Sequence, residues 1–123
     1  MLCVGCNNRI PEKYKYGSPG IGYPTDHGET SALRTIQANF NSLDWSNAVF
    51  ATTLSPCVMC TRSLIHLHSL GLRRLVIAEA KTFQGPSNEL LRNLPGMTVV
   101  ELTNADGIAM MQDFARTYPW DWA

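Results

Sequence analysis

A chain of 123 residues with 45% hydrophobic content has the length of one domain and enough apolar side chains for a packed core. Its 10 basic and 10 acidic residues balance to a formal net charge of zero, and the basic ones are scattered, which weighs against a phosphate-tracking surface. No apolar run approaches membrane-spanning length, and Met1-Leu2-Cys3-Val4-Gly5 has neither the basic start nor the long apolar stretch of a signal peptide, so no membrane span or leader is expected.

In chain order, strand and helix alternate. Leu2 to Cys6 reads as a strand. The loop Ile10 to Thr25, rich in Gly, Pro, Tyr and Lys, leads into a helix over about Glu29 to Phe40, with Leu33, Ile36 and Phe40 at core-facing spacing. Ala48 to Thr53 is β-branched and apolar and reads as a buried strand. Ser55 is the expected N-cap and Pro56 the first helical residue of the next helix, which carries Cys57 and runs to Leu70 with Gly71 as its stop. Leu75 to Ala78 is another strand, Ser87 caps a short helix to about Leu94, and Pro95-Gly96 ends it. Thr98 to Leu102 is a strand, and a helix from Gly107 to about Thr117 precedes the tail Tyr118 to Ala123. Such alternation predicts an α/β layer with a mixed or largely parallel sheet, formed by residues 1–123 as a single domain.

Two short motifs carry chemistry. His27-Gly28-Glu29 offers an imidazole and, two residues on, a carboxylate; Pro56-Cys57-Val58-Met59-Cys60 offers two thiols three residues apart. Each motif sits at a predicted helix start. Cys57 and Cys60 fall on one helical turn, so both sulfurs can face one point, and the helix dipole favours thiolate there. His27, Cys57 and Cys60 make three zinc ligands, which leaves a fourth position for water and marks a catalytic site rather than a structural one. Zinc lowers the pKa of its water from 15.7 to about 7. Glu29 can move protons between that water and a substrate. The expected metal therefore sits between two helix N-termini, and the expected chemistry is hydrolysis at an amine-bearing carbon. With two of the four cysteines assigned to metal, a reducing cytoplasm is expected.

H-x-E followed by P-C-x-x-C is the signature of the zinc deaminases. With Thr52 to Thr61, Glu79 to Phe83 and Asp121-Trp122, the chain resembles the fungal-type cytosine deaminases of the cytidine deaminase-like superfamily. That resemblance implies a three-layer α/β fold, a mixed sheet flanked by helices. It implies a homodimer that takes a small free base in pyrimidine salvage and turns cytosine to uracil with release of ammonia. His27, Cys57 and Cys60 match the zinc ligands and Glu29 the proton shuttle. Asn7 matches an asparagine that hydrogen-bonds the pyrimidine, as an amide that donates and accepts can. The backbones of Gly28, Ser55 and Cys57 match groups lining the base and the metal-bound oxygen, Phe83 the aromatic on the ring, and Trp122 the tryptophan of a C-terminal flap. The chain departs from the family pattern in three places. It lacks the family's N-terminal helix and first strand, its loop between Asn7 and His27 is longer, and it stops at Ala123 without the acidic residue that contacts the leaving amine. Asp121 and Asp26 are the candidates to replace that residue.

Other readings stand beside this one. The same metal chemistry serves deaminases of nucleosides, of tRNA adenosine or of single-stranded DNA cytosine, although neutral charge makes nucleic acid the weaker expectation. A chain without the family's first elements could be inactive, or completed by a partner. Cys3-x-x-Cys6 could join Cys57 and Cys60 in a four-cysteine ribbon, but the separation exceeds ribbon spacing and would leave His27 and Glu29 unused; core thiols are expected instead. His66 and His68 point in different directions and need no catalytic role. Arg73-Arg74 reads as a solvated turn, and one of Met110-Met111 as a core residue. Trp120 and Trp122 could be mere anchors, and Tyr14, Tyr16 and Tyr23 with Lys13 and Lys15 are more often turn-rich surface than a base-stacking strip.

Overall fold

The computed structural model describes Gly5 and residues 27–36, 42–85 and 88–119. It divides into two units, residues 1–44 and 45–123. In the first, helix α1 spans Gly28–Thr35. His27 is its N-cap, with extended backbone at φ −74° and ψ 168°. Glu29 in the first turn and Arg34 in the last complement the helix dipole. The helix ends at Ile36 rather than continuing without a break, and Phe40 lies outside the described residues.

The second unit holds a sheet of three described strands in the order β1-β2-β3: β1 Phe50–Leu54, β2 Arg74–Glu79 and β3 Thr98–Glu101. Both pairings are parallel, with Phe50 opposite Leu75 and Leu75 opposite Val99. Parallel neighbours need a crossover. Helix α2, Val58–Ser69, makes the first, and helix α3, Asn88–Arg92, makes the second. Helix α4, Ala105–Thr117, follows β3. This is the expected α/β arrangement of a sheet with helices. The expected strand Leu2–Cys6 lies outside the described residues except for Gly5.

Burial follows the two-residue period of the central strand. Leu75, Ile77 and Glu79 of β2 share one face and are fully buried, as are Leu64 and Leu67 of α2, Leu72, and Leu91 of α3. Strand β1 is not the buried strand its composition suggests: Ala51 and Thr53 are exposed. Among the described strands it pairs with β2. Helix α4 also begins two residues earlier than Gly107. Asn104 is the N-cap, and its side-chain oxygen accepts from the Gly107 amide at 2.8 Å. An asparagine ahead of an amphipathic run is the local signal for that start. Met110 of this helix is 54% exposed, which leaves the half-buried Met111 as the inward methionine of the pair.

The α2–β2 turn is held by polar bonds. Gly71 takes φ +121° after the helix, as a C-terminal stop. Arg73 Nη1 donates to the carbonyls of His68 and Leu72, both at 2.8 Å, so it caps the helix end rather than facing water alone. Arg74 Nη2 donates to the Ser46 carbonyl at 3.2 Å. His66 is exposed, and His68 Nε2 lies 2.8 Å from the Pro95 carbonyl oxygen.

Candidate metal centre

The start of α1 places His27 and Glu29. The His27 carbonyl accepts from the Ser31 amide at 2.8 Å and from Thr30 Oγ1 at 3.1 Å, closing the first turn. The His27 imidazole makes no capping hydrogen bond to that turn. Gly28 and Glu29 are the first two helical residues, both half-buried. Gly5 packs against the same turn so closely that a Cβ on it would lie 2.0 Å from the Gly28 carbonyl oxygen and 2.2 Å from the Ala32 nitrogen. Nothing in the local sequence around Gly5 announces this contact.

The β1–α2 turn places the two thiols. Here the structure corrects the expected cap. Cys57, not Ser55, is the N-cap of α2, at φ −73° and ψ 176°, and Pro56 precedes the helix rather than opening it. The physical reason is a competing partner: the buried Ser55 hydroxyl oxygen accepts from the Gly85 amide at 2.9 Å, and the Ser55 amide donates to the Glu79 carbonyl at 3.0 Å. The Cys57 carbonyl accepts from Thr61 at 2.8 Å to start the helix. Cys60, fully buried, is the third helical residue. Cap and first turn therefore carry the two sulfurs on one side of α2, as three-residue spacing requires. Neither thiol is in a disulfide.

One candidate ligand atom each from His27, Cys57 and Cys60 lies within 4.8 Å of the other two. Around a tetrahedral zinc with bonds of about 2.0–2.3 Å, neighbouring ligands are about 3.3–3.8 Å apart, so the span suits one ion. The donor set, two thiols and an imidazole, suits zinc and leaves a fourth position open. Among the described residues no other trio of His, Cys, Asp or Glu gathers in this way.

Residues 1–79 match the cytidine and deoxycytidylate deaminase zinc-binding region. The chain belongs to this family. His27, Cys57 and Cys60 are its residues positioned to bind the zinc. The chain is also similar to a cytosine deaminase of Candida albicans, 34% identical over 96 residues, which is 78% of this chain and 60% of that protein. The chain thus spans 60% of the length of this relative.

Of the other expected site residues, Phe83 lies in the loop after β2 and is half-buried. Asn7 and Trp122 lie outside the described residues, as do Asp26, Asp121, Cys3 and Cys6. Glu79 belongs to neither metal motif. Its carboxylate is fully buried: Oε2 accepts from the amides of Lys81 and Thr82 at 2.8 and 3.0 Å, and Oε1 from Thr82 Oγ1 at 2.5 Å. An acidic residue ending an apolar strand was the available signal.

Proposed function

We propose that the chain is a zinc-dependent hydrolytic deaminase of a free nucleobase, converting cytosine and water to uracil and ammonia. The observation that carries the reading is the gathering of His27, Cys57 and Cys60 around one point, with Glu29 two residues from His27. His27, Cys57 and Cys60 hold the ion, which when bound supplies a water that is acidic near neutral pH. Glu29 accepts a proton from the attacking water and delivers one to the ring nitrogen beside the reacting carbon. It then takes the remaining proton from the added oxygen and passes it to the departing amine, which leaves as ammonia as the new carbonyl forms. Asn7 hydrogen-bonds the base edge, the backbones of Gly28 and Ser55 line the site, and Phe83 and Trp122 cover the ring. The similarity to a cytosine deaminase supports cytosine as the base, and the balanced charge favours a small neutral substrate over nucleic acid.

The reading extends to a single working domain, a homodimer and the cytoplasm. No helix among the described residues is long and apolar enough to cross a membrane. The test is ammonia release from cytosine, 5-methylcytosine, adenine, guanine and the nucleosides, with Glu29→Ala alongside. Loss of a general acid–base group costs about 10²–10⁴ in rate. Cytosine should be the best substrate, and Glu29→Ala should keep its zinc while losing activity to that extent. A Glu29→Ala protein that retains most of the activity would sink the mechanism. Light scattering of the eluting peak tests the dimer.

A further inference from the structure

We infer that Glu79 and Gly85 are positioning residues for the zinc ligand Cys57, acting through the Ser55-Pro56 turn. The inference rests on the zinc site described above and adds the device that holds half of it in place. Cys57 follows a turn of only two residues after β1 and is the N-cap of α2. The loop after β2 holds that turn.

That loop is tied at both ends. At its start, the buried Glu79 carboxylate gathers the Lys81 amide, the Thr82 amide and the Thr82 hydroxyl. A buried carboxylate is tolerated only with such donors, and charge-assisted bonds are the stronger kind. At its end, the Gly85 amide donates to Ser55 Oγ at 2.9 Å in a buried bond. The same glycine lies flat against the residue before Cys57: a Cβ at position 85 would sit 1.9 Å from the Pro56 carbonyl oxygen and 3.1 Å from its carbon. Gly85 is not in the left-handed region, so the requirement is close approach rather than backbone conformation.

Glu79 also holds the turn directly. It stands opposite Leu54 in the β1–β2 register, and its carbonyl accepts the Ser55 amide at 3.0 Å. Ser55 is therefore held by its amide to the Glu79 backbone and by its hydroxyl to Gly85, while Pro56 is backed by Gly85. Cys57 is the next residue. Its sulfur has little left to order when the ion arrives, and preorganised ligands bind more tightly for that reason. Phe83 rides on the same tied loop, so the device couples the metal ligand to the aromatic proposed to cover the base.

The experiment compares the 123-residue chain with Glu79→Gln, Gly85→Ala and a control, Leu91→Ala, which removes a fully buried side chain outside the turn and the loop. Zinc affinity is measured by chelator competition at a temperature where all are folded. The visible spectrum of the cobalt-loaded forms reports the thiolate geometry. Loss of support behind a metal ligand weakens binding about 10–100-fold. Glu79→Gln and Gly85→Ala should fall in that range with altered cobalt spectra, and Leu91→Ala, which removes packing but no bond to the turn, should stay within about threefold. A Gly85→Ala chain that does not fold leaves Glu79→Gln, which conserves shape, to decide. Wild-type zinc affinity and cobalt spectrum in Glu79→Gln overturn the inference, as does equal weakening in Leu91→Ala. A wild-type chain that binds neither ion overturns the zinc-site reading itself, and this inference with it.

Discussion

Alanine in place of Gly5 tests how the first turn of α1 is held. The new methyl carbon would stand 2.0 Å from the Gly28 carbonyl oxygen and 2.2 Å from the Ala32 nitrogen. Non-bonded carbon contacts close at about 3.5 Å, so the approach is short by about 1.5 Å. Both neighbours are backbone atoms of one helix, which cannot rotate away as a side chain can. Two effects oppose each other. Gly→Ala restricts the unfolded chain and stabilises by about 0.4–1 kcal/mol where the conformation permits. Overpacking costs about 1–3 kcal/mol, and a clash with backbone belongs at the upper end. The clash should win, leaving a net loss of about 2–2.6 kcal/mol, or a fall of roughly 8–10 °C in Tm at this size. Glu29 follows Gly28 directly, so a shift of the turn carries the proposed proton shuttle with it. A displacement of about 1 Å at a reacting group costs about 10²-fold. Circular dichroism melting and ammonia release from cytosine read the two effects separately. A Gly5→Ala protein that melts at or above the wild-type temperature would refute the close approach.

Four further outcomes rest on the described contacts. Purified protein should carry about one equivalent of zinc, and His27→Ala should drop it below about half, since three ligands are the minimum set here; equal metal content in both would contradict the ligand assignment. Zinc at about 100 times its Kd should stabilise the folded chain by about 2.7 kcal/mol, and chelation should reverse the shift in Tm. In the helical part, Asn104→Ala removes the oxygen that accepts the Gly107 amide and should cost about 1 kcal/mol with no change in zinc affinity, whereas Leu64→Ala empties a fully buried site and should cost about 2–5 kcal/mol in denaturant unfolding.

How much could be read in advance depends on how local each signal is. The starts of α1 and α2 were legible within a residue or two, because His27, Pro56 and Cys57 sit where apolar helical spacing begins. Ser55, a serine before Pro-Cys, has the right chemistry for the N-cap of α2. Its oxygen is instead taken by Gly85, 30 positions away, which no local pattern displays. Strand β1 has the composition of a buried strand, yet Ala51 and Thr53 are exposed, because burial depends on what packs against each face. The start of α4 was placed at Gly107, while the cap three residues earlier, Asn104, carried the stronger signal.

The sequence by itself determined the donor set and its spacing: His27, Cys57 and Cys60 as residues that could hold a metal, with Glu29 two residues after His27. Metal chemistry accepts few residue types, and helical spacing decides which of them can face one ion. Only the tertiary structure decided how closely Gly5 meets the Gly28 turn, that Gly85 backs Pro56, and that the Glu79 carboxylate is buried among three donors. The first two are contacts between segments distant in the chain, and the third is a local loop whose burial its surroundings set; both arise from packing, which no short stretch of residues records.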